Sequence, residues 1–348
     1  MDRMTFNSST IVNKKMYFIS NFENILAYMD MENGKISYLK NIKGFSPDIV
    51  RDGIEKVIEE NGKIYFFILD GKSILIYDIE KNSCKTIHID FGKELWGNYA
   101  AIIQYNKKIF LFPSYKSDII KIDTEMDEVV YEKNIYDKLV SHEKEKVFCC
   151  GCQVDNNVYL FGEQDVAIYN LITDEYKRQK VKNEKIKFID VVNFENKFYF
   201  TDKLGRIYQK DTFNGSMEIL FDANKGEYSI GKLVSTKKNL WILPSLGEKI
   251  YVLDYKSGIV SIYENYPYDL EYYNIGGTKY HDFCKYEKKY YVSMRLNNYI
   301  LTIDEETGLG NWIKPKNPDL SDKIKVYVEY QIIHKEEITA LKEFINSV

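Results

Sequence analysis

The sequence has few of the residues that catalytic and metal sites use most. Its 348 residues include only four histidines and five cysteines. The cysteine number is odd and the spacing is not that of a disulfide framework, which indicates reduced thiols and a cytoplasmic location. No stretch resembles a nucleophile elbow or a glycine-rich phosphate loop. We therefore expect no cofactor and assign no catalytic residue.

Long apolar segments and a basic surface are also lacking. No stretch approaches the roughly 20 apolar residues of a membrane span, and the N-terminus has no apolar signal core. The formal net charge is -4, whereas nonspecific nucleic-acid binding needs a basic footprint. One basic run, from Lys177 to Lys187, is predicted on an outer edge strand, where lysines deter edge-to-edge pairing; a binding patch is the alternative. We expect neither a membrane nor a nucleic-acid partner, and a monomer.

A repeated unit of short strands fills the chain. In the copy at 239–254, an apolar run (240–243) precedes turn residues (244–247), a second strand (250–253) and an aspartate. Similar units begin with an Asn or Lys at positions 13, 61, 106, 156, 196, 239 and 288, which are 40 to 50 residues apart. We predict that each of these residues lies in the turn before a second strand and that each repeat Asp ends a third strand.

A period of about 40–50 residues made of short strands is typical of propeller blades. A further apolar stretch precedes each unit, as at 100–105 and 186–194, which makes about four strands per repeat. We predict an all-β fold, a single seven-bladed β-propeller of four-stranded antiparallel blades at 1–323, with six blades as the alternative. The segment 324–348 is predicted to add a strand and a short amphipathic C-terminal helix packed on the propeller, a partner-docking helix being the alternative.

The pattern resembles kelch-like and streptogramin-lyase-like seven-bladed propellers. The resemblance rests on the repeat and on a Pro-Ser…Ile…Asp run at 113–123 that recurs at 244–254. It covers nearly the whole chain. The Gly-Gly pair and downstream Trp of true kelch blades are missing, as are the Trp-Asp and Gly-His marks of another common propeller class. The resemblance implies the fold, and the catalytic histidine context of the lyases is absent from the two matching runs.

Two clusters have chemical potential. Cys149, Cys150 and Cys152 offer three thiols, but zinc prefers four ligands, and alternation along a strand puts Cys149 on the opposite face from the other two. We therefore expect small buried cysteines and no metal. His281 precedes Asp282 on a predicted inner strand, where a histidine beside a carboxylate can act as an acid or base. A hydrogen-bonded structural histidine is the alternative.

The predicted site lies on the face that carries the inter-blade links and the turns between second and third strands, because variable loops on a rigid scaffold usually carry function. Tyrosine and arginine are favoured binding residues. The candidate ligand or partner-binding residues are Arg51, Tyr115, Asp190, Tyr272, Tyr273, His281 and Arg295. For Arg295 a surface salt bridge is the alternative, and for the tyrosine-rich loop at 263–278 it is packing against its own blade.

These observations predict a non-catalytic binding scaffold that holds a protein or peptide partner on this face. The alternative is an enzyme that acts on a carbohydrate or a small acidic ligand at the channel mouth. Convergence of His281, Asp190 and Arg295 within hydrogen-bonding distance around a pocket would favour the enzyme.

Overall fold

The computed structural model describes most of the repeat region. The described residues are 6–20, 25–42, 53–68, 73–89, 99–115, 118–132, 147–162, 165–180, 186–211, 217–223, 229–272, 279–293, 295 and 297–316. The predicted C-terminal strand and helix at 324–348, and the candidates Arg51 and Tyr273, lie outside these residues. No helix in the described ranges is long and apolar enough to cross a membrane.

The described chain folds into seven four-stranded antiparallel sheets, each built from four consecutive strands. Blade 1 contains β1 (Ser9–Val12), β2 (Lys15–Ile19), β3 (Ile25–Asp30) and β4 (Ile36–Asn41), and blade 2 contains β5 (Ile54–Glu60), β6 (Lys63–Ile68), β7 (Ser73–Asp78) and β8 (Ser83–His88). Blade 3 contains β9 (Tyr99–Tyr105), β10 (Lys108–Pro113), β11 (Ile119–Asp123) and β12 (Glu128–Glu132). Blade 4 contains β13 (Cys150–Val154), β14 (Asn157–Phe161), β15 (Asp165–Asn170) and β16 (Tyr176–Lys180). Blade 5 contains β17 (Phe188–Phe194), β18 (Lys197–Asp202), β19 (Arg206–Asp211) and β20 (Met217–Asp222). Blade 6 contains β21 (Ser229–Ser235), β22 (Asn239–Leu246), β23 (Tyr251–Asp254) and β24 (Val260–Ile262). Blade 7 contains β25 (Phe283–Tyr286), β26 (Lys289–Val292), β27 (Ile300–Asp304) and β28 (Gly310–Ile313).

The first strand of each blade lines a central channel. β1 contacts both β5 and β25, β13 contacts β9 and β17, and β17 contacts β21, so the first strands lie side by side around the axis. The contact between β1 and β25 joins the first blade to the last. The sheets therefore form a seven-bladed propeller, and the predictions of fold class and blade number are confirmed.

The blades are held together by apolar clusters between neighbouring sheets. Between blades 2 and 3, for example, Tyr65 and Phe67 of β6 pack with Ile109 and Leu111 of β10 in one buried cluster. The middle strands are apolar on both faces because each face is covered by an adjacent blade. A single blade cannot bury both faces, so the ring is the folding unit.

Local turn chemistry repeats from blade to blade. Asn13, Asn61, Asn106 and Asn196 have φ between 48° and 63°, a left-handed conformation that asparagine tolerates better than most residues. These asparagines lie in the turn before the second strand, as predicted. For Asn239 the prediction is wrong, because it is the first residue of β22.

The turn before β22 closes earlier because Thr236 organises it. The Asn239 amide donates a hydrogen bond to Thr236 Oγ1 at 2.9 Å. The Thr236 hydroxyl in turn donates to the Asn239 carbonyl oxygen at 3.0 Å. The predicted turn at 244–247 is also misplaced, since β22 continues through Pro244 to Leu246. Register shifts around Ile230 of β21 accommodate the proline.

Aspartate or asparagine ends the third strand of every blade, as predicted. The residues are Asp30, Asp78, Asp123, Asn170, Asp211, Asp254 and Asp304. At Asp304, Oδ1 accepts hydrogen bonds from the backbone amides of Glu306 and Thr307 at 3.1 and 2.8 Å. The side chain thus satisfies turn amides that the strand ladder leaves unpaired.

The chain after the last blade also contacts the first blade. Lys316 forms a parallel bridge with Lys35, and the Lys316 amide donates to the Gly34 carbonyl at 2.7 Å. The Ile36 amide, at the start of β4, donates to the Lys316 carbonyl at 3.2 Å. These hydrogen bonds hold the two ends of the ring together at the outer strand of blade 1.

The strand order divides the molecule into two faces. The links between blades and the turns between second and third strands lie on one face, here called the loop face. The turns between first and second strands, and between third and fourth strands, lie on the other, here called the turn face. Each inner strand begins at the loop face, so its first residues surround the loop-face mouth of the channel.

Candidate functional site

The loop-face mouth of the channel contains a cluster of charged side chains from several blades. A cavity of about 250 Å³ is lined by the starts of the inner strands. Its charged and titratable lining residues include Glu55, Lys56, Asp190, Lys232, His281 and Asp282. Inner strands converge on the axis, so charges distant in sequence become neighbours.

One group of contacts joins blades 1, 2 and 7. Asp282 is buried, and its Oδ1 accepts a hydrogen bond from Lys56 Nζ at 2.9 Å while Oδ2 accepts one from Ser8 Oγ at 2.5 Å. Burial pushes the pKa of Asp282 upward, but Lys56, Lys232 and the Ser8 hydrogen bond outweigh it and hold the pKa below its usual value. Asp282 is therefore an ionised group that crosslinks three blades.

A second pair joins blades 5 and 6. Asp190 Oδ1 lies 3.2 Å from Lys232 Nζ, and Oδ2 accepts a hydrogen bond from the Leu233 amide at 2.8 Å. Burial pulls the pKa of Lys232 downward, but Asp190, Asp282 and Glu55 outweigh it and raise the pKa above its usual value. Lys232 therefore stays protonated and is not available as a nucleophile.

The channel continues from this pair towards the turn face. A second cavity of about 490 Å³ shares Gly151, Asp190 and Lys232 with the first and extends along β17 and β21 to Thr236 and Glu305. The Asp190–Lys232 pair therefore lies between the two halves of the channel. Asp190, a predicted loop-face residue, is buried in the channel wall near the loop-face end of β17, and its role in binding stays a prediction.

His281 lies beside Glu55 at the mouth. Its Nε2 is 3.4 Å from Glu55 Oε2, yet the contact does not have hydrogen-bond geometry. Nε2 is buried and has no hydrogen-bond partner among the described residues. Burial pushes the pKa of Glu55 upward, but His281 and Lys232 outweigh it and lower the pKa below its usual value. Glu55 is thus a carboxylate, and His281 keeps an unused ring nitrogen next to it.

Arg295 lies near the same pair. Val292 is paired with Phe283, and the Ser293 amide donates to the Asp282 carbonyl at 2.9 Å, so the end of β26 lies beside Asp282. Burial lowers the pKa of the Arg295 guanidinium, and the charge of Glu55 only partly opposes this effect. The surface salt bridge considered for Arg295 is not observed with any carboxylate of the described residues.

The tyrosines of the loop have structural contacts. Tyr272 forms a bridge with Asn297, its hydroxyl lies 3.2 Å from that of Tyr280, and Lys279 Nζ lies 3.9 Å from its ring centroid. The described part of this loop therefore packs against its own blade. Tyr115 lies on the loop face at the end of the β10 strand, and burial raises the pKa of its hydroxyl.

The cysteine cluster belongs to the wall of the channel and to the core. Cys150 is buried between blades 4 and 5, and both Cys149 and Cys152 pack against the same apolar cluster. Burial, with a contribution from Asp190, raises the pKa of the Cys150 thiol well above its usual value. The described residues contain no group of three or more His, Cys, Asp or Glu side chains placed to hold a metal ion.

Of the candidates from the sequence, Asp190 and His281 line the mouth cavity. Arg295 lies close enough to Glu55 for the carboxylate charge to affect the pKa of its guanidinium. Tyr115 and Tyr272 are on the same face but not in the cavity lining. Glu55, Lys56 and Lys232 also line the cavity but were not among the residues predicted from the sequence. Lysines in otherwise apolar inner strands, such as Lys232 in β21, were the available indication.

The arrangement defines the chain as a seven-bladed β-propeller with a charged channel. Among solved structures, virginiamycin B lyase from Staphylococcus aureus has a TM-score of 0.61 at 13% identity, covering 84% of this chain and 92% of the lyase. BamB from Moraxella catarrhalis has a TM-score of 0.55 at 10% identity, covering 82% and 80%. PorZ, a surface component of the Porphyromonas gingivalis type IX secretion system, has a TM-score of 0.58 at 11% identity, covering 91% of this chain and 39% of PorZ.

At these identities the likeness concerns the fold. The streptogramin-lyase-like architecture expected from the repeats is confirmed by the first of these structures. No protein-family model matches the sequence, and no curated protein matches it.

Proposed function

We propose that this chain is a non-catalytic binding scaffold that holds a protein or peptide partner on its loop face. The main support is the state of the channel charges. Asp190 and Asp282, two buried carboxylates of the mouth cavity, are both paired with lysines from other blades. Groups held this way stabilise the ring, and a rigid ring presents its loops to a partner with little ordering cost.

The mouth cavity points in the same direction, whereas the second cavity, at about 490 Å³, has the size of a small-ligand pocket. Pockets for small ligands usually measure about 300–1,000 Å³ and are mainly apolar. The mouth cavity is smaller, at about 250 Å³, and is lined by several charged groups. Among solved structures of this fold, one comes from a mitotic checkpoint complex and one is a surface component of a secretion system, which supports a protein partner.

The rival proposal is an enzyme acting on a carbohydrate or small acidic ligand at the channel mouth. Its support is the contact between His281 and Glu55 beside the cavity, together with the likeness to a lyase in fold. Against it, Asp190 is engaged by Lys232 and Leu233, and none of His281, Asp190 and Arg295 hydrogen-bonds to another of the three in the described structure. The scaffold is therefore the preferred proposal.

Capture from a cell lysate by the immobilised full chain tests the scaffold. Wild type is compared with Arg295→Ala on the loop face and with Leu309→Ser on the turn face, where Leu309 is exposed. We expect a specific protein to be captured by wild type and Leu309→Ser but not by Arg295→Ala. Equal capture by all three would place the binding surface elsewhere, and no specific capture would count against the scaffold.

A cytoplasmic location remains part of the proposal. All five cysteines are free, which suits a reducing compartment. Fractionation of cells that express the tagged chain checks this: we expect the soluble cytoplasmic fraction.

A further inference from the structure

We propose that the second cavity, in the half of the channel that leads to the turn face, binds a small neutral sugar. The site lies apart from the loop face, so this binding goes beyond the partner-holding function and does not depend on it. The cavity measures about 490 Å³, which falls in the range of about 300–1,000 Å³ that is usual for small-ligand pockets. Its charges are compensated, and its lining combines aromatic rings with unused hydrogen-bond acceptors.

The lining of this cavity comes from four neighbouring blades. Most of its residues belong to β17 of blade 5 and to β21 of blade 6 with the turn that follows it. Gly151 and Cys152 come from blade 4, and Phe283, Tyr290 and Glu305 come from blade 7. Apolar clusters between blades 5 and 6 and between blades 6 and 7 hold these walls in place. The cavity is therefore formed before a ligand arrives, which lowers the ordering cost of binding.

Every charged side chain among the described lining residues already has a partner of opposite charge. The loop-face end of the cavity contains the ion pair between blades 5 and 6 that is described above. At the turn-face end, Lys237 Nζ lies 2.7 Å from Glu306 Oε1, and Glu305 Oε1 lies 2.6 Å from Lys285 Nζ. A charged ligand would lose hydration without gaining an unpaired counter-charge. The cavity therefore favours a neutral ligand.

Two hydrogen-bond acceptors in the lining are not used by the described part of the protein. Asn193 donates through Nδ2 to the Lys197 carbonyl at 3.1 Å, but its Oδ1 accepts no hydrogen bond there. Glu305 accepts from Lys285 Nζ and from Tyr290 Oη, and both contacts are to Oε1, so Oε2 keeps its accepting capacity. Hydroxyl groups can donate to such oxygens. These two positions therefore suit a ligand with several hydroxyl groups.

Three aromatic side chains line the cavity from the two blades that flank blade 6. Phe194 of blade 5 stacks on Tyr255, with ring centroids 4.1 Å apart. Phe283 and Tyr290 of blade 7 meet edge to face, with centroids 5.4 Å apart. All three side chains that line the cavity are partly exposed, so they offer apolar surface to a ligand. The C–H face of a sugar ring can pack on such surface while its hydroxyl groups reach the polar neighbours.

A ring that carries hydroxyl groups fits this lining better than two simpler neutral compounds. An open-chain polyol loses more conformational freedom on binding than a ring does. A purely apolar compound would cover the free oxygens of Asn193 and Glu305 without offering them a donor, which is costly. A cyclic sugar offers both an apolar face and hydroxyl donors.

Saturation-transfer NMR and isothermal titration calorimetry on the full chain test the site. The probes are D-glucose, D-galactose and D-mannose, and we expect saturable binding of at least one of them. Its uronate and 2-amino counterparts share the ring but carry a charge, and we expect both to bind at least about tenfold more weakly. No binding by any of the three sugars, tighter binding of a charged counterpart, or equally tight binding of the open-chain polyol mannitol would overturn the inference.

Substitutions in the lining locate the bound sugar. In Glu305→Gln, Lys285 keeps the remaining amide oxygen and an NH2 group replaces the free acceptor, so affinity should fall about tenfold. Asn193→Ala removes the second acceptor, and Phe194→Leu removes a ring but keeps an apolar side chain; each should weaken binding severalfold. Wild-type affinity in all three variants would overturn the site.

Glu306→Gln is the matched control. It removes the same charge from the adjacent residue, which pairs with Lys237 but does not line the cavity. We expect this variant to bind the sugar as wild type does, and circular dichroism confirms that each variant is folded. A loss equal to that of Glu305→Gln would indicate a general effect of turn-face charge and overturn the site.

Two further measurements separate this site from other possibilities. Adenosine is also a hydroxylated ring compound, and tighter binding of adenosine than of every sugar would overturn the sugar in favour of a nucleoside. Arg295→Ala, on the loop face, should bind the sugar as wild type does, and a loss there would place the sugar at the mouth instead. Failure of sugar binding leaves the scaffold proposal standing, because lysate capture depends on the loop face and uses no sugar.

Discussion

Lys232 of blade 6 and Asp190 of blade 5 form an ion pair, with 3.2 Å between Nζ and Oδ1, at the point where the two halves of the channel meet. Desolvating two charges is expensive unless their remaining hydrogen-bonding capacity is used. Here the Leu233 amide binds the second carboxylate oxygen, and Asp282 and Glu55 add attraction for the lysine. The pair therefore stabilises the ring only while both members are present.

Removing Lys232 while Asp190 remains should lower the stability of the folded protein. Lys232→Met leaves Asp190 buried without its counter-charge, and we expect a loss of about 3–5 kcal/mol in the free energy of unfolding. Chemical denaturation measures it. The double variant Lys232→Met/Asp190→Leu should recover most of the loss, because no unpaired charge remains.

Lys237→Met is the control for this pair. Lys237 contacts Glu306 at 2.7 Å but both side chains are well exposed. We expect no measurable change in the denaturation midpoint. A Lys232→Met variant as stable as wild type would contradict the role assigned to the pair.

Acid should destabilise the ring through Asp282 and Glu55. The pKa of each carboxyl is lowered in the folded protein, so the unfolded state binds protons at higher pH than the folded state does. The two carboxylates contribute fully to stability when the pH is above their pKa values in the unfolded chain, about 3.9 for Asp282 and about 4.3 for Glu55. This contribution is lost as the pH falls through their lower pKa values in the folded protein. We expect Tm to fall steeply below about pH 4.

Asp282→Asn tests the source of the acid effect. This variant should have a lower Tm at neutral pH, since Lys56 loses its counter-charge, and a shallower decline in acid. Scanning calorimetry from pH 7 to pH 3 compares the two proteins. Parallel curves would show that other carboxyl groups dominate.

Close packing at blade 7 gives a third prediction. A Cβ at Gly310, the first residue of β28, would lie 2.4 Å from a ring carbon of Trp241 in blade 6. Trp241 is buried and its Nε1 donates to the Gly308 carbonyl at 3.2 Å, so the ring cannot move away freely. We expect Gly310→Ala to cost about 1–3 kcal/mol of unfolding free energy.

A double-mutant cycle isolates this contact. In a Trp241→Phe background the ring is smaller, and we expect Gly310→Ala to cost measurably less than in wild type. Denaturation curves of the four proteins measure the coupling. Additive effects would mean that the glycine is needed for another reason.

Much of the fold was predictable because its determinants are local. The asparagine turns, the terminal aspartates of third strands and the 40–50-residue period all depend on neighbours in sequence, so Asp304 and Asn61 could be placed correctly without knowing the ring. The errors arose where a nonlocal contact or another side chain changed the outcome. Thr236 moved the turn before Asn239, and a shifted pairing with β21 carried β22 through Pro244.

The candidate site was only partly predictable. His281 was a candidate because it precedes Asp282 on a predicted inner strand, and Arg295 because arginine on the loop face is a favoured binding residue; their convergence was left open. Glu55 and Lys232 went unnoticed because a single charge within an apolar strand has many explanations. Tyr272 contacts Tyr280 and Asn297 within blade 7, and its predicted role in partner binding stays a prediction.

The sequence by itself determined the repeating blade, its turns and the number of copies, because residues within about 50 positions of one another specify these features. Only the tertiary structure decided which charges meet. Closing seven sheets into a ring brings the starts of inner strands from different blades to one axis, so that Asp282 reaches both Lys56 and Ser8, which are more than 200 residues away. Pairing with lysines from other blades then compensates the charges of Asp190 and Asp282.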